Sequence, residues 1–463
     1  MAVQEIRPGT APTREKLRGP VAVVGMDWNF ALGNDLDQGW QNMVNGVNGI
    51  RRHELPGYPQ VKSKIAGVAQ YFDANRDLKG IIPSNEQPFV ARSVQLILPP
   101  AQRALQQAGI IAEQQEQIGK GPRTRTVWKT DRKVVDPDEV TTIIATGMAG
   151  AADASVAGQK ILDFIGQDGE RKLPPSEFVF QALPGRAATV PSMAFDTRGG
   201  VAMIDAECAG GNYAIGEVRR RILNGEAYVG IAGGLESTLT PVGYALFDSL
   251  GALSDDNEIE WAPHALDVYN SGFAYAEGAG VMILEDVQHA QDRGANILGY
   301  LTGYGESGDA YHNSFPHPEG RGQERAMRKA IAVAGGLPTE GMIFWSGHLT
   351  GTGGDKYEAR TVKRVARDMG VINRVLFSGS KPMTGHTLGF SGVLESIKAV
   401  KAIQEGIVPP IIKTKELDPE AEGLDVVVGE SRKAEVTAAI VDSFGFGGGN
   451  AITVFESTAT ARV

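Results

Sequence analysis

Short apolar runs closed by glycine recur along the chain: VAVVGM from Val21, TTIIATGM from Thr141, VAMIDAEC from Val201, AYVGIAGG from Ala227 and GAGVMILED from Gly278. The second half repeats the style with ANILGYLTGYGE from Ala295, MIFWSGHL from Met342, RVLFSGSK from Arg374 and TAAIVDSFGFG from Thr437. Runs this short and this apolar predict buried strands. Between them, GNYAIGEVRRRILNGE, ERAMRKAIAVAGG and TLGFSGVLESIKAVKAIQEG place apolar residues three and four apart and stop at glycine, which predicts helices. Alternating strands and helices give a layered α/β fold. No short period repeats, so solenoids and propellers are excluded. The style of the two halves suggests a loose leader over 1–19, one α/β half over 20–290 and a second over 291–463.

A length of 463 residues accommodates two or three domains' worth of core. With 42% apolar and 22% charged residues the chain is ordinary for a globular protein, which excludes disorder as its main state. The 59 glycines follow no Gly-X-Y period and belong to turns and close backbone contacts. Lys+Arg 45 against Asp+Glu 55 leaves −10, the wrong sign for a nucleic-acid partner. An anionic partner must therefore meet a local basic patch. KGPRTRTVWKTDRK, from Lys120 to Lys133, is the candidate; it lacks either structural period and reads as an exposed loop. The one cysteine cannot form an internal disulfide, so a reducing cytoplasm fits. MAVQEIRPGTAPTREKLRG has no apolar core of a signal peptide, and no segment reaches 18 uncharged apolar residues, so a soluble protein away from membranes is expected.

Cys208 ends an apolar strand and precedes AGG and an amphipathic helix. A thiol there lies near the positive end of a helix dipole, which favours thiolate; the plain alternative is a small buried hydrophobe. His348 opens HLTGTGGD after a strand, and His386 lies in SKPMTGHTLGFSG just before a long helix. Such junctions gather catalytic groups at one end of an α/β sheet, although an isolated histidine there is more often structural. Two of them in like settings, together with the cysteine, tilt the reading toward a site. DSFGFGGGN from Asp442 lacks the lysine of a P-loop and the GxGxxG spacing. A turn offering backbone N–H groups to a carbonyl oxygen fits it better.

In order and spacing, DAECAGGNYAIG, HLTGTGGD, SKPMTGH and SFGFGGGN resemble the β-ketoacyl-acyl-carrier-protein synthases, and VAVVGM with GNDLDQGWQNMVNGVNGI resembles that family's N-terminus. GALSDDN and SGDAYHNSFPHPEG are similar to its free-standing, chain-elongating members. The resemblance implies a thiolase fold of two similar halves in five layers (helix, sheet, helix, sheet, helix), working as a homodimer or as a heterodimer with a related subunit. It implies Cys208 as the nucleophile that takes an acyl group from acyl-carrier protein. His348 and His386 would assist decarboxylation of malonyl-carrier protein, with Lys381 and a supporting Glu395 beside them. It further implies an oxyanion hole from the N–H groups of Cys208 and Phe446, and a gate of Phe446 facing Asp309 to His312. Thr350 and Thr352 would contact the phosphopantetheine arm, and Met148 and Phe247 the acyl chain. Thioester exchange suits a thiolate, and two imidazoles can stabilise the enolate left by lost carbon dioxide, so neither metal nor redox cofactor is called for. Arg123, Arg125 and Lys129 in the basic run are candidates for docking the acidic carrier protein.

The sequence departs from the family pattern in several places. Leu349 replaces a glycine, and the run to Asp355 is one residue shorter; Gly449 replaces a threonine; Asn270 and Ser271 replace a charged pair; and Glu207 precedes the nucleophile. These favour a specialised relative in fatty acid or type II polyketide synthesis. They also keep open a second class, a catalytically weak or silent subunit that binds carrier protein as a partner or scaffold.

Overall fold

In the computed structural model, which describes residues 19–117, 124–166 and 177–461, the apolar runs form the strands that the sequence predicts. The first half holds β1 (Val21–Asn29), β2 (Val140–Thr146), β3 (Val201–Asp205), β4 (Val229–Glu236) and β5 (Gly278–Glu285). The second holds β6 (Gly299–Gly308), β7 (Met342–Ser346), β8 (Val375–Ser378), β9 (Val436–Phe444) and β10 (Gly449–Glu456). Spatial order is β3-β2-β4-β5-β1 in one and β8-β7-β9-β10-β6 in the other, so each strand has a counterpart five places on. Strand directions repeat too: β2 is parallel to β3 and β4 as β7 is to β8 and β9, and the remaining pairs are antiparallel. The halves join edge to edge where Val21–Val23 of β1 pair with Gly299–Leu301 of β6, and a two-residue strand, Asp425–Val426, extends the far edge.

Helices complete the layers. α1 (Arg92–Gln107) and α2 (Arg186–Phe195) cover the outer face of the first half, burying Leu96, Ile97 and Val190 against Ile144 and Ile283. α3 (Gly210–Leu223) lies inside. On the outer face of the second half, α4 (Arg321–Val333) and α5 (Asp355–Asp368) bury Met327, Ile331 and Val362. α6 (Leu388–Glu405) lies beside α3, and this inner pair packs against strands of both halves, in the core that holds Trp28, Phe344, Phe390 and Val393. The succession is helix, sheet, helix, sheet, helix. Apolar inner helices are what such a middle layer requires, since α6 has no solvent face along most of its length.

The inner helices touch backbone to backbone. A Cβ on Gly211 would lie 2.7 Å from Val393 N, and one on Gly392 2.6 Å from Asn212 N. Only glycine permits that approach. Asn212, fully buried, donates from Nδ2 to Val441 O at 3.0 Å and Ala451 O at 2.9 Å, pinning the start of α3 to β9 and β10 of the other half. Because β3 and β8 are counterparts, the two inner helices begin at matching places: Cys208 leads into α3 and His386 into α6.

Two expectations need correction. The basic run from Lys120 is not a loop over its described part: Thr124–Thr130 pairs antiparallel with Ile111–Gln117 as a hairpin. Thr, Val and Trp in TRTVWKT supply strand propensity that the interleaved cations mask, and Val127 and Thr130 turn inward. The strand at Val201 is not buried on both faces; β3 is the sheet's edge, and Val201 is exposed. No helix among the described residues is long and apolar enough to cross a membrane.

The glycine contact generates a test. Gly392→Ala is expected to cost about 1–3 kcal/mol through overpacking at backbone that cannot yield. An unaltered denaturation midpoint would show that the inner helices do not meet as described.

Candidate active site

Cys208 sits in a single tight turn, Glu207–Ala209, between β3 and α3. Glu207 bends the chain with φ +46°, in the left-handed region, and Cys208 is buried. His386 Nε2 lies 3.0 Å from Cys208 Sγ. The ring of His348 meets that of His386 edge to face, 5.4 Å between centroids. One ligating atom from each of the three residues falls within 4.8 Å of the others. They line a cavity of about 520 Å³ whose wall also includes Thr350, Thr352, Asp309 and Phe446. The trio is the one cluster among the described residues that could share a metal ion, and the Lys381 ammonium beside it opposes a second positive charge.

Backbone anchoring fixes each group. His348 N and Leu349 N donate to the Glu358 carboxylate at 2.5 and 3.0 Å. Lys381 Nζ donates to His348 O. Asp355 gathers the shortened turn by accepting from Thr350 N at 2.9 Å, Gly351 N at 3.0 Å and Leu266 N at 3.1 Å. Leu349 holds φ +33°, where glycine would be unstrained, and its buried side chain packs against Gly347 and Gly379. The family's missing glycine is thus offset by apolar packing. His386 N donates to Ala274 O at 2.8 Å, and Phe273 meets its ring edge to face.

Burial dominates the electrostatics. It pushes the Cys208 thiol up to about 12 against the lowering pull of Lys381, and Glu207 and Glu236 add to the rise. The helix-dipole argument therefore gives the right place but the wrong resting state: the sulfur is a thiol until a base takes its proton. Burial, with Lys381, holds both imidazoles well below histidine's ordinary value, so they are neutral. Burial likewise raises Glu236 to about 8, although it accepts from Gly147 N and Gly389 N. Burial opposes ionisation of Glu395 as well, but Lys398, Lys381 and hydrogen bonds override it and hold that carboxyl at about 2.

The other predicted residues divide. Thr350 and Thr352 face the cavity with hydroxyls 2.9 Å apart. Asp309 braces the gate: its N–H donates to Gly448 O, its carboxylate accepts from Asn450 Nδ2 and His317 N, and a Cβ on Gly445 would lie 3.2 Å from Ala206 O, so that turn abuts the nucleophile's. His312 does not line the cavity; it is exposed, and its Nδ1 accepts from Ser314 N and Phe315 N within its own loop. Met148 and Phe247 do not line it either; they belong to the apolar cluster behind Cys208, and Phe446 closes over Phe247 at 5.7 Å between rings. Arg123 lies outside the described residues. Arg125 is paired with Glu116 across the hairpin, and Lys129 donates to Met193 O, so neither is part of the cavity wall. Ser271 replaces its lost charge with a hydroxyl contact to Ser254 at 2.8 Å. At Gly449 the nearest atom to an added Cβ is Tyr213 Oη at 3.8 Å, so a side chain would fit.

Sequence reasoning missed Glu358, Glu236 and Lys398, and gave no role to Asp355. Acids in a helix's first turn look solvated unless the preceding loop is known to fold back on them; for Lys398, the signal was its place on the apolar face of α6, three residues after Glu395.

The chain matches "Beta-ketoacyl synthase, N-terminal domain" over residues 18–290 and "Beta-ketoacyl synthase, C-terminal domain" over 298–415. It is 31% identical over 439 residues to 3-oxoacyl-[acyl-carrier-protein] synthase 2 of Staphylococcus aureus (strain COL), covering 94% of this chain and 98% of that one. Among solved structures it is similar to the ketosynthase complex described as AntDE:AntF, a type II PKS acyl-carrier protein with its ketosynthase bound to the hexaketide. That match has a TM-score of 0.80, 25% identity, and covers 95% of this chain and 100% of that one. The ishigamide ketosynthase/chain length factor matches equally, with a TM-score of 0.80 and 25% identity, covering 95% of this chain and 99% of that one.

Neutral buried histidines make stability depend on pH. Their folded-state values lie below the ordinary 6.5, so as pH falls beneath 6.5 the unfolded chain binds protons that the folded site refuses. Each should lower stability by up to about 1.4 kcal/mol per pH unit there. Denaturation at pH 7 and pH 5 should show a shallower loss for the His348→Asn/His386→Asn variant than for the parent; equal losses would contradict the assignment.

Proposed function

The chain belongs to the β-ketoacyl synthase family, and on that premise we propose that it elongates an acyl chain held on Cys208 with a malonyl unit delivered on acyl-carrier protein, in fatty acid or type II polyketide synthesis. The observation that carries the proposal is the convergence of one sulfur and two neutral imidazoles within 4.8 Å on the wall of an open cavity. His386 Nε2, at 3.0 Å, accepts the thiol proton as the sulfur attacks the incoming thioester carbonyl. A new carbon–sulfur bond forms at Cys208, the carrier's carbon–sulfur bond breaks, and the carrier's thiol departs with a proton. The malonyl carrier then enters. Its carboxylate leaves as carbon dioxide, and the electron pair left behind is held as an enolate by N–H groups of His348 and His386. The enolate carbon attacks the acyl carbon; a carbon–carbon bond forms, the Cys208 carbon–sulfur bond breaks, and the departing sulfur takes a proton from solvent to give back the thiol. Neutral imidazoles suit this role, because an N–H can stabilise the enolate oxygen without surrendering its proton first.

The remaining roles follow the same logic. The N–H groups of Cys208 and Phe446 receive the oxyanion, supported by the close approach of the two turns. Phe446 gates the space before Phe247 and Met148, with Asp309 holding the gate turn. Thr350 and Thr352 receive the pantetheine arm. Arg125 and Lys129 serve the carrier only if its acids displace Glu116 and the Met193 carbonyl, which makes them secondary docking groups. A dimer, with a copy or with a related subunit, is supported by the open ladder of edge strand β3 and by Val201 and Met193, both exposed beside it. A cytoplasmic setting is supported by the single reduced thiol on which the chemistry depends. The division into 20–290 and 291–463 is supported by the repeated strand order.

Retention of Cys208, His348, His386 and Lys381 in one place favours catalysis over a silent scaffold. Incubation with acyl-acyl-carrier protein should add one acyl group to the intact protein and none to Cys208→Ser. Mass spectrometry showing no adduct at any chain length would overturn the proposal.

A further inference from the structure

Glu395 has two buried lysines around it, and its nearer partner is not Lys381. Lys398, one turn along α6, closes on Glu395 Oε2 at ion-pair contact, whereas Lys381 Nζ stands 4.0 Å from Oε1. Lys398 is fully buried, its Nζ 5.2 Å above the Phe344 ring, and it contacts no reacting atom. Ser346 Oγ and Ser380 Oγ donate to the same carboxylate, so its two oxygens are committed to Lys398 and the two hydroxyls. Lys381 is left to donate to His348 O.

We propose that Lys398 is a positioning residue that neutralises Glu395, so that the charge of Lys381 remains uncancelled and acts on the Cys208 sulfur and the two imidazoles. Around Glu395 the dry pocket holds two ammonium groups and one carboxylate, net +1, with the Asp355 carboxylate also bearing on Lys381 and unchanged in every variant below. Without Lys398, the carboxylate would turn to Lys381, the net charge would fall to zero, and the field at the sulfur would collapse. In a low-dielectric interior such a redistribution is felt strongly. Two directions agree with this ledger: Lys381 is the foremost influence lowering the Cys208 thiol, and Lys398 the foremost influence stabilising ionised Glu395. The groups facing Cys208 are Lys381, His386 and His348 from the second half, Glu236 at the end of β4, and Glu207 in its own turn; those facing Lys398 are Glu395 and Lys381.

The inference rests on Cys208 being the nucleophile, and the experiment separates the two by reading the thiol itself rather than condensation. Cys208 is the only cysteine, so iodoacetamide alkylation of the full chain, followed against pH by mass spectrometry, reports a single site. K398M should slow alkylation at pH 8 by roughly three- to tenfold, the loss of thiolate that a pKa higher by about 0.5–1 brings. E395Q, with net charge +2, should speed it by a similar factor. K398M/E395Q returns to net +1 and should recover the parent profile. Folded K398M with an unchanged profile, or a double variant as slow as K398M, would overturn the proposal. Should K398M fail to fold, E395Q and the double variant decide: faster and then restored supports it, and equal rates reject it.

Discussion

The site depends on a backbone contact between the two inner helices. At Gly211 and Gly392 the chains approach too closely for any side chain, and that contact sets the starts of α3 and α6 side by side. Each start is also the end of an equivalent strand, β3 in one half and β8 in the other, so a repeated topology delivers two different chemistries to one point. Cys208 arrives on one copy and His386 on the other, with sulfur and nitrogen 3.0 Å apart. His348, from the turn after β7, completes the group because Glu358 binds its backbone and Lys381 caps its carbonyl.

Dryness has the next say. Burial withholds charge from the thiol and from both imidazoles, and among the described residues the positive charge bearing on them is that of Lys381, which donates to His348 O. The sulfur rests as a thiol, since burial pushes it up to about 12, and its reactivity depends on a base that takes its proton. Proton transfer to His386 is then local and short. The same surroundings that suppress resting ionisation strengthen every hydrogen bond to a developing oxyanion, so suppression and catalysis have one cause.

Much of this was legible in the sequence. The apolar runs marked the strands, and glycine stops marked the ends of the helices, because burial on both faces and left-handed C-caps impose composition directly; Gly406 at the end of α6 is the plainest case. Cys208, His348 and His386 could be picked out because each falls at a junction after a strand or before a helix, and because their motifs resemble one family's in order and spacing. What escaped is what tertiary contact creates. TRTVWKT hid its strand beneath alternating cations, and only pairing with Ile111–Gln117 reveals it. The dipole at α3 promised a thiolate, and burial outweighed it. Met148 and Phe247, expected along the acyl chain, lie in the apolar cluster around Cys208 rather than on the open cavity, a distinction that only the packed rings reveal. Lys398 went unremarked, since a lysine among the apolar residues of α6 does not by itself show that it packs over Phe344 beside Glu395.

The most direct test follows the carbon. With acyl-carrier protein bearing malonyl labelled in its free carboxyl, and a second carrier bearing the acyl chain, the parent protein should release labelled carbon dioxide one for one with a chain-extended β-ketoacyl product. That outcome requires the sulfur and both imidazoles to act together. Release of carbon dioxide with no new carbon–carbon bond, or extension that survives in Cys208→Ala, would contradict the account.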